Sequence, residues 1–344
     1  MEFNYWDKFL TKKIITATSF GGSGAGAISD LFKEFHLGHS FGNKELWFLQ
    51  DYDGISDLDY YLNDGNHRSK VSYAIKNFEK YIENNMIFYK EIFGDNFKKI
   101  TTDFIDSLKD ASFNKSISKH EISNIFLRHL IFKLSPFMQY LYSRLIKGKI
   151  IEFIPYLPRR RKYYSHPDSA RFYKYVQEYT SRLFDEIDSK AEFEFLYFEQ
   201  LVPSIKIDRY FNYINNMKVI IVDRDPRDIY LMNQMRWKGA AFICDTTNID
   251  EYITWYRSMR FNLKKDIENP NTIKINFEEL VYNYETTLST ILNFVDISSE
   301  LHINKKKFFD PDVSIHNTKL WKGNHNYKNE ITKIEELLFE YCYQ

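Results

Sequence analysis

A short β-branched run, Lys13-Ile14-Ile15-Thr16-Ala17-Thr18, enters a glycine cluster, behind which Ile28, Leu31, Phe32 and Phe35 recur at helical spacing. The opening therefore predicts strand, glycine loop, helix. Glu45-Leu46-Trp47-Phe48-Leu49 reads as a second strand that starts at Glu45 and ends in the turn chemistry of Asp51-Tyr52-Asp53-Gly54. From about 71 to 147 the pattern is mostly helical, with Phe78, Tyr81 and Ile82 in one stretch and Ile122, Ile125, Phe126, Leu130 and Phe132 in another. His129, set among the latter, reads as a core histidine. Pro155, Pro158 and Arg159-Arg160-Arg161-Lys162 mark a connection, after which Phe172, Tyr175, Val176, Tyr179, Leu183, Phe184 and Ile187 resume the helical period. Strands are predicted over 194–198, 217–223 and 272–276, and the last two are each followed by a helical pattern. The clearest stripe is Leu280, Tyr284, Leu288, Ile291 and Val295, and a short helix is expected near 331–341.

Strands alternating with helices predict an α/β fold, with a mainly parallel central sheet flanked by helices and interrupted by helical insertions. The 344 residues are enough for one large domain, expected over 1–344 with a mostly helical insertion at about 71–190. Charge adds a constraint: 47 basic residues cancel 47 acidic ones, so no global field draws the chain to nucleic acid and any anionic ligand needs a local site. No nucleic-acid partner is expected. Cys244 and Cys342 form neither a Cys-x-x-Cys pair nor a metal-ligand cluster, which predicts no disulfide scaffold and no metal and fits a reducing compartment. The first thirteen residues lack a signal-type apolar run, and no stretch reaches the roughly eighteen apolar residues of a transmembrane segment. A cytoplasmic protein is expected, with peripheral attachment to a membrane left open.

The glycine cluster is the first candidate for chemistry. Between a buried strand and a helix, backbone N–H groups can converge on an anion, and the helix N-terminus adds partial positive charge. Gly21, Gly22, Ser23, Gly24, Ala25, Gly26 and Ala27 are the candidate cradle, with Ser19 or Ser23 as an extra hydroxyl donor. A tight turn with close helix-to-strand packing would use the same glycines. The Lys-Ser/Thr ending of an ATP-binding loop is missing, since Ala27 follows Gly26, which weakens a kinase or ATPase reading.

The second candidate lies at the carboxyl end of the buried-strand run 217–222, where open α/β sheets bind ligands. In Asp223-Arg224-Asp225-Pro226-Arg227-Asp228, Asp225 suits a helix N-cap, Pro226 the first helical position and Asp228 the first turn. Arg224 has the shape to grip a phosphate with two parallel hydrogen bonds, or else to pair with Asp225 or Asp228.

Together, the loop at 18–28 and Val222-Asp223-Arg224-Asp225-Pro226-Arg227-Asp228-Ile229-Tyr230 resemble the sulfotransferase family, nearest to its carbohydrate-modifying members. Asn276-Phe277-Glu278-Glu279-Leu280 and Trp321-Lys322-Gly323 extend the resemblance to about a third of the chain. The resemblance implies a P-loop nucleotide-binding fold and 3′-phosphoadenosine 5′-phosphosulfate as donor, with a glycan or other hydroxyl acceptor. It places the 5′-phosphosulfate on the backbone of residues 22–27 and the 3′-phosphate on Arg224. The family's serine eight residues after that arginine is Met232 here, so Asn233 is taken in its place. The family's loop cation is replaced by Gly22, and Lys322 is the candidate to supply it, the alternative being a solvated lysine.

Sulfuryl transfer needs positioning, donors around the sulfonate oxygens and one base for the acceptor proton. Glycan-modifying members use a glutamate shortly after the first helix, and Glu45 occupies such a place, with His36, His39 and Asp53 as neighbours that compete for the role. Arg159-Arg160-Arg161-Lys162 reads as a solvated loop, or as a surface for an acidic acceptor or the nucleotide's phosphates, beside Tyr163 and Tyr164, which would suit stacking on a sugar. Two other functions stay open: a P-loop kinase or phosphotransferase, and a nucleotide-binding protein without catalysis.

Overall fold

The structure, a computed structural model, describes residues 12–65, 70–117, 121–145, 159–236 and 244–344. Most of the N-terminal segment 1–13, Lys147, Pro155 and Pro158 lie outside the described residues.

Five parallel strands form the central sheet in the order β2-β5-β1-β6-β7: β1 (Lys13–Ser19), β2 (Gly38–Glu45), β5 (Phe195–Glu199), β6 (Met217–Asp223) and β7 (Thr272–Asn276). Two further strands among the described residues, β3 (Ala111–Ser116) and β4 (Arg159–Tyr164), pair antiparallel with each other. Apolar side chains of the central strands point to both faces, as a parallel sheet covered on both sides requires. Ile14, Leu196, Val219 and Ile221 join one core cluster, whereas Ile15, Tyr197, Ile220 and Val222 join the other. This double burial explains why the 217–222 run is continuously apolar.

The first face is covered by helices Lys70–Asn84, Met86–Phe93, Phe97–Ser107 and Ser169–Ile187, through Phe78, Phe93, Phe104 and Tyr179. The second is covered by Ala25–Phe32 and Tyr284–Val295, through Ile28, Phe32, Leu288 and Ile291. A third cluster joins Pro226–Met235, Ile249–Met259 and Lys328–Leu337 through Leu231, Tyr256 and Ile334.

Several expectations are corrected. Glu45 ends β2 instead of starting it, and Leu46 to Leu49 form the turn region that follows, with Leu46, Phe48 and Leu49 buried. The apolar run reflects packing beneath the sheet edge, not pairing. Arg159-Arg160-Arg161-Lys162 is strand β4, not loop, because each residue has a partner across β3. His129 is exposed, and so are Ile125, Phe126 and Leu130 around it, so helical spacing there does not mark a core face.

The connection from β1 runs toward β2 and the connection from β6 runs toward β7, so the two connections leave in opposite directions and open a crevice beyond the carboxyl ends of the paired strands β1 and β6. That crevice is where open α/β sheets hold ligands. Ile220, in the middle of β6, is fully buried in the core cluster on the second face of the sheet. Ile220→Ala is expected to cost about 2–5 kcal/mol, measured by equilibrium urea unfolding.

Candidate active site

The glycine loop turns tightly after β1, with Gly21, Gly22 and Gly24 at φ of 85°, 67° and 104°. A side chain at Gly24 would also collide with Phe277, 2.8 Å from where its Cβ would lie. The following helix, Ala25–Phe32, is capped by Gly24 without a side-chain bond and has no acidic residue in its first turn. Ala27 N–H folds back onto the Gly24 carbonyl, so Ala25 and Gly26 are the first amides at that end. Such an end is open to an anion. Ser23 is buried and its Oγ accepts the Phe20 N–H at 3.0 Å, which fixes the turn. Ser19 and Thr18 both bond to Gln200 at the end of β5.

Arg224 leaves the end of β6 next to this loop. Its Nη1 donates to the Gly22 carbonyl at 3.2 Å, Nη2 donates to the Asn317 carbonyl, and the guanidinium lies 4.9 Å from the Phe277 ring centre. The residue is 4 % exposed and its Nε has no partner. Neither carboxylate offered by the sequence pairs with it. Asp225 caps its helix through Arg227 N–H and binds the Arg227 side chain, whereas Asp228 accepts the backbone N–H groups of Lys319 and Leu320. Burial pulls the Arg224 guanidinium below its ordinary pKa, and Asp228 and then Glu278 offset this in part. Burial pushes those two carboxyls toward their neutral forms, Asp228 up to about 6 and Glu278 up to about 7. Arg236, whose guanidinium reaches the Asn317 side-chain oxygen, adds a like charge. Two guanidiniums meeting at one residue, with neighbouring carboxyls driven toward neutrality, make a site short of negative charge.

Asn233 is buried in the same helix, but both of its amide N–H groups are occupied by Thr246 Oγ1 and the Cys244 carbonyl, at 2.8 and 3.2 Å. Its Oδ1 is unpartnered and is an acceptor, which phosphate does not need. The Asp228 bonds to residues 319 and 320 bring the Trp321-Lys322-Gly323 segment to this helix. Lys322 itself is exposed, its Nζ 5.6 Å from the Trp321 ring centre.

Glu45 faces Glu199 across the end of the β2–β5 ladder, where Leu46 N–H donates to the Glu199 carbonyl at 3.0 Å. Burial raises the Glu45 pKa, and a hydrogen bond from Trp47 opposes this. Glu199 is raised by burial, opposed by the Ser29 hydroxyl at 2.8 Å and reinforced by Glu45. Its Oε1 lies 3.9 Å from where a Cβ on Gly26 would be, so this carboxylate sits against the first turn after the loop. Of the competing residues, His36 and His39 are at the opposite, amino end of β2, and Asp53, at φ 60°, holds a turn by accepting from Asn77 and donating its N–H to Asp57.

Glu199, Arg236 and Asn317 were missed by sequence reasoning, and Phe277 entered it only as part of the 276–280 segment, without a role of its own. Glu199 has a signal, a lone carboxylate directly after the fully apolar 195–198 run. For Arg236 and Asn317 there is none, because their contact joins residues 81 positions apart.

No family model matches the chain, and no curated protein matches it. Among solved structures it is similar to a sulfotransferase domain from the curacin biosynthetic pathway, at 12% identity over 96% of this chain and 98% of that one, with a TM-score of 0.41. A sulfotransferase domain from the Synechococcus PCC 7002 olefin synthase shows 11% identity over 97% and 96%, with a TM-score of 0.40. A sulfotransferase from Mycobacterium avium shows 10% identity over 97% and 78%, with a TM-score of 0.37. At such scores the likeness carries no weight for function, which rests on the residues above.

The carboxyls give a pH signature. An acid with a raised folded-state pKa binds more protons folded than unfolded, so stability falls as pH rises from the ordinary carboxylate value toward the folded one. For Glu278 that window runs from about 4.3 to about 7. Chemical unfolding between pH 4.5 and 7.5 should show stability declining with pH, and Glu278→Gln should flatten the decline.

Proposed function

We propose that this chain is a sulfotransferase, moving a sulfuryl group from 3′-phosphoadenosine 5′-phosphosulfate to a hydroxyl of a carbohydrate acceptor. The observation that carries the reading is Arg224, a buried guanidinium without an ion pair among the described residues that bonds the glycine loop across the β1–β6 crevice. Two anion-holding places on adjacent strand ends suit a nucleotide with phosphates on both sides of its ribose. The amides of residues 25 and 26 would take the 5′-phosphosulfate, and Arg224 with Arg236 the 3′-phosphate. Lys322 and Asn233 are retained as weaker candidates. No lysine follows the glycines, so an ATP reading lacks its usual cation.

In the proposed reaction Glu45 takes the acceptor hydroxyl proton as the oxygen attacks sulfur. The sulfur–oxygen bond to the 5′-phosphate breaks, and 3′-phosphoadenosine 5′-phosphate leaves. A raised carboxyl pKa suits a base working near neutral pH. The Arg224 Nη1 contact at Gly22 puts a cation beside the position where the family carries its loop lysine or arginine. One domain over 1–344, with the insertion at about 71–190, and a cytoplasmic location belong to the same proposal. Strands from residues 13 to 276 sharing one sheet support the domain part.

Thermal-shift measurements separate the possibilities, because a ligand bound only by the folded state raises stability. 3′-Phosphoadenosine 5′-phosphate should raise Tm more than ATP with magnesium at equal concentration; the reverse order would favour a phosphotransferase. With an acceptor that turns over, Glu45→Gln should lower kcat by roughly 10²- to 10⁴-fold while the bisphosphate still binds. Unchanged turnover would remove Glu45 from the base role, and binding without turnover over a broad acceptor panel would favour a non-catalytic nucleotide binder.

A further inference from the structure

Strands β3 and β4 form a base from which the chain makes a long excursion, opening at the Ser116–Arg159 pair. The excursion carries the helix Ile125–Leu145, 21 residues or about 32 Å at 1.5 Å per residue. Its apolar side chains face outward: Leu127, Leu130, Leu134, Phe137 and Leu141 recur at alternating spacings of three and four and all are exposed, while Ile125 and Phe126 are 72 % and 78 % exposed. A contiguous apolar surface of this extent marks an interaction site. Among the described residues no helix is long and apolar enough to cross a membrane.

Charge selects the occupant. The helix contains Arg128, Lys133 and Arg144 and no Asp or Glu; β3 and β4 contain Lys115 and the basic run 159–162, again with no Asp or Glu. Lys162 pairs with Glu121, but no carboxylate among the described residues pairs with Arg128, Lys133, Arg144, Arg159 or Arg160. In a chain whose 47 basic and 47 acidic residues cancel, this one-sided set is a local feature. A second copy docking helix to helix would bring cations against cations with no acid to relieve them. A polyanion alone would leave the leucine stripe in water. An anionic bilayer answers both, with acyl chains for the apolar side chains and lipid phosphates for the arginines and lysines.

We propose that helix Ile125–Leu145 lies in the headgroup region of an anionic membrane, with the basic end of the β3–β4 pair against lipid phosphates. The attachment is peripheral, and it presents the chain to acceptors held at a membrane surface.

Flotation of the full-length chain with phosphatidylcholine vesicles, with or without phosphatidylglycerol as about a third of the lipid, tests this. The chain should float with anionic vesicles at least ten-fold more than with neutral ones, and less as salt rises. Leu130→Glu with Leu134→Glu should abolish flotation, and Arg159→Glu with Arg160→Glu should remove the anionic preference, each with an unaltered melting curve. If the leucine variant fails to fold, Phe137→Trp serves instead, and its emission should shift to the blue on adding anionic vesicles. No flotation, an unmoved emission, or variants that float like the parent would overturn the proposal. So would a vesicle-free dimer that the leucine variant converts to monomer, which would assign the helix to a second copy.

Discussion

Arg224 keeps a guanidinium at 4 % exposure with no carboxylate bonded to it among the described residues, and much of the surrounding arrangement follows from that. A desolvated charge without compensation is costly, by several kcal/mol. The fold meets it with dipoles and a π face: the carbonyls of Gly22 and Asn317, and the Phe277 ring. Those contacts tie three separate segments to the end of β6. The Phe277 ring that lies by Arg224 also closes the space above Gly24, so the loop's shape and the arginine's position depend on one another. What remains unmet is negative charge, and Nε is the unpartnered donor.

The second half of the site depends on a ladder end. Glu45 and Glu199 meet where β2 stops pairing with β5, and there burial, with Glu45 adding to it, raises the proton affinity of Glu199, while burial raises that of Glu45. Ser29 ties Glu199 down and in turn contacts the Tyr197 hydroxyl at 3.0 Å, which fixes one carboxylate and leaves Glu45 at the exposed rim. A fixed buried acid beside an exposed one is an arrangement that can hold an acceptor hydroxyl and take its proton.

The strand–loop–helix opening, β6, β7 and the Asp225–Pro226 helix start were legible because each depends on local chemistry, namely apolar runs, glycines and capping residues. The second strand was misplaced because 46–49 is apolar for packing, whereas the real strand, Gly38–Glu45, is polar and lies at the sheet edge. His129 was misjudged because periodicity reports an apolar face without saying what covers it. For Arg224, sequence left ion pairing and anion binding equally open. In the fold Asp225 and Asp228 go to other partners, so neither is bonded to the guanidinium, and for Asp228 that depends on residues 319 and 320, nearly a hundred positions away.

The central claim is that Arg224 reads a phosphate on the far side of the ribose from the glycine loop. Isothermal titration of the parent and Arg224→Ala with 3′-phosphoadenosine 5′-phosphate and with adenosine 5′-monophosphate tests it directly. The variant should lose roughly ten- to a hundred-fold in affinity for the bisphosphate, as expected for a charged hydrogen bond of about 1.5–3 kcal/mol, and little for the monophosphate. An equal loss for both nucleotides, or none for either, would contradict the account.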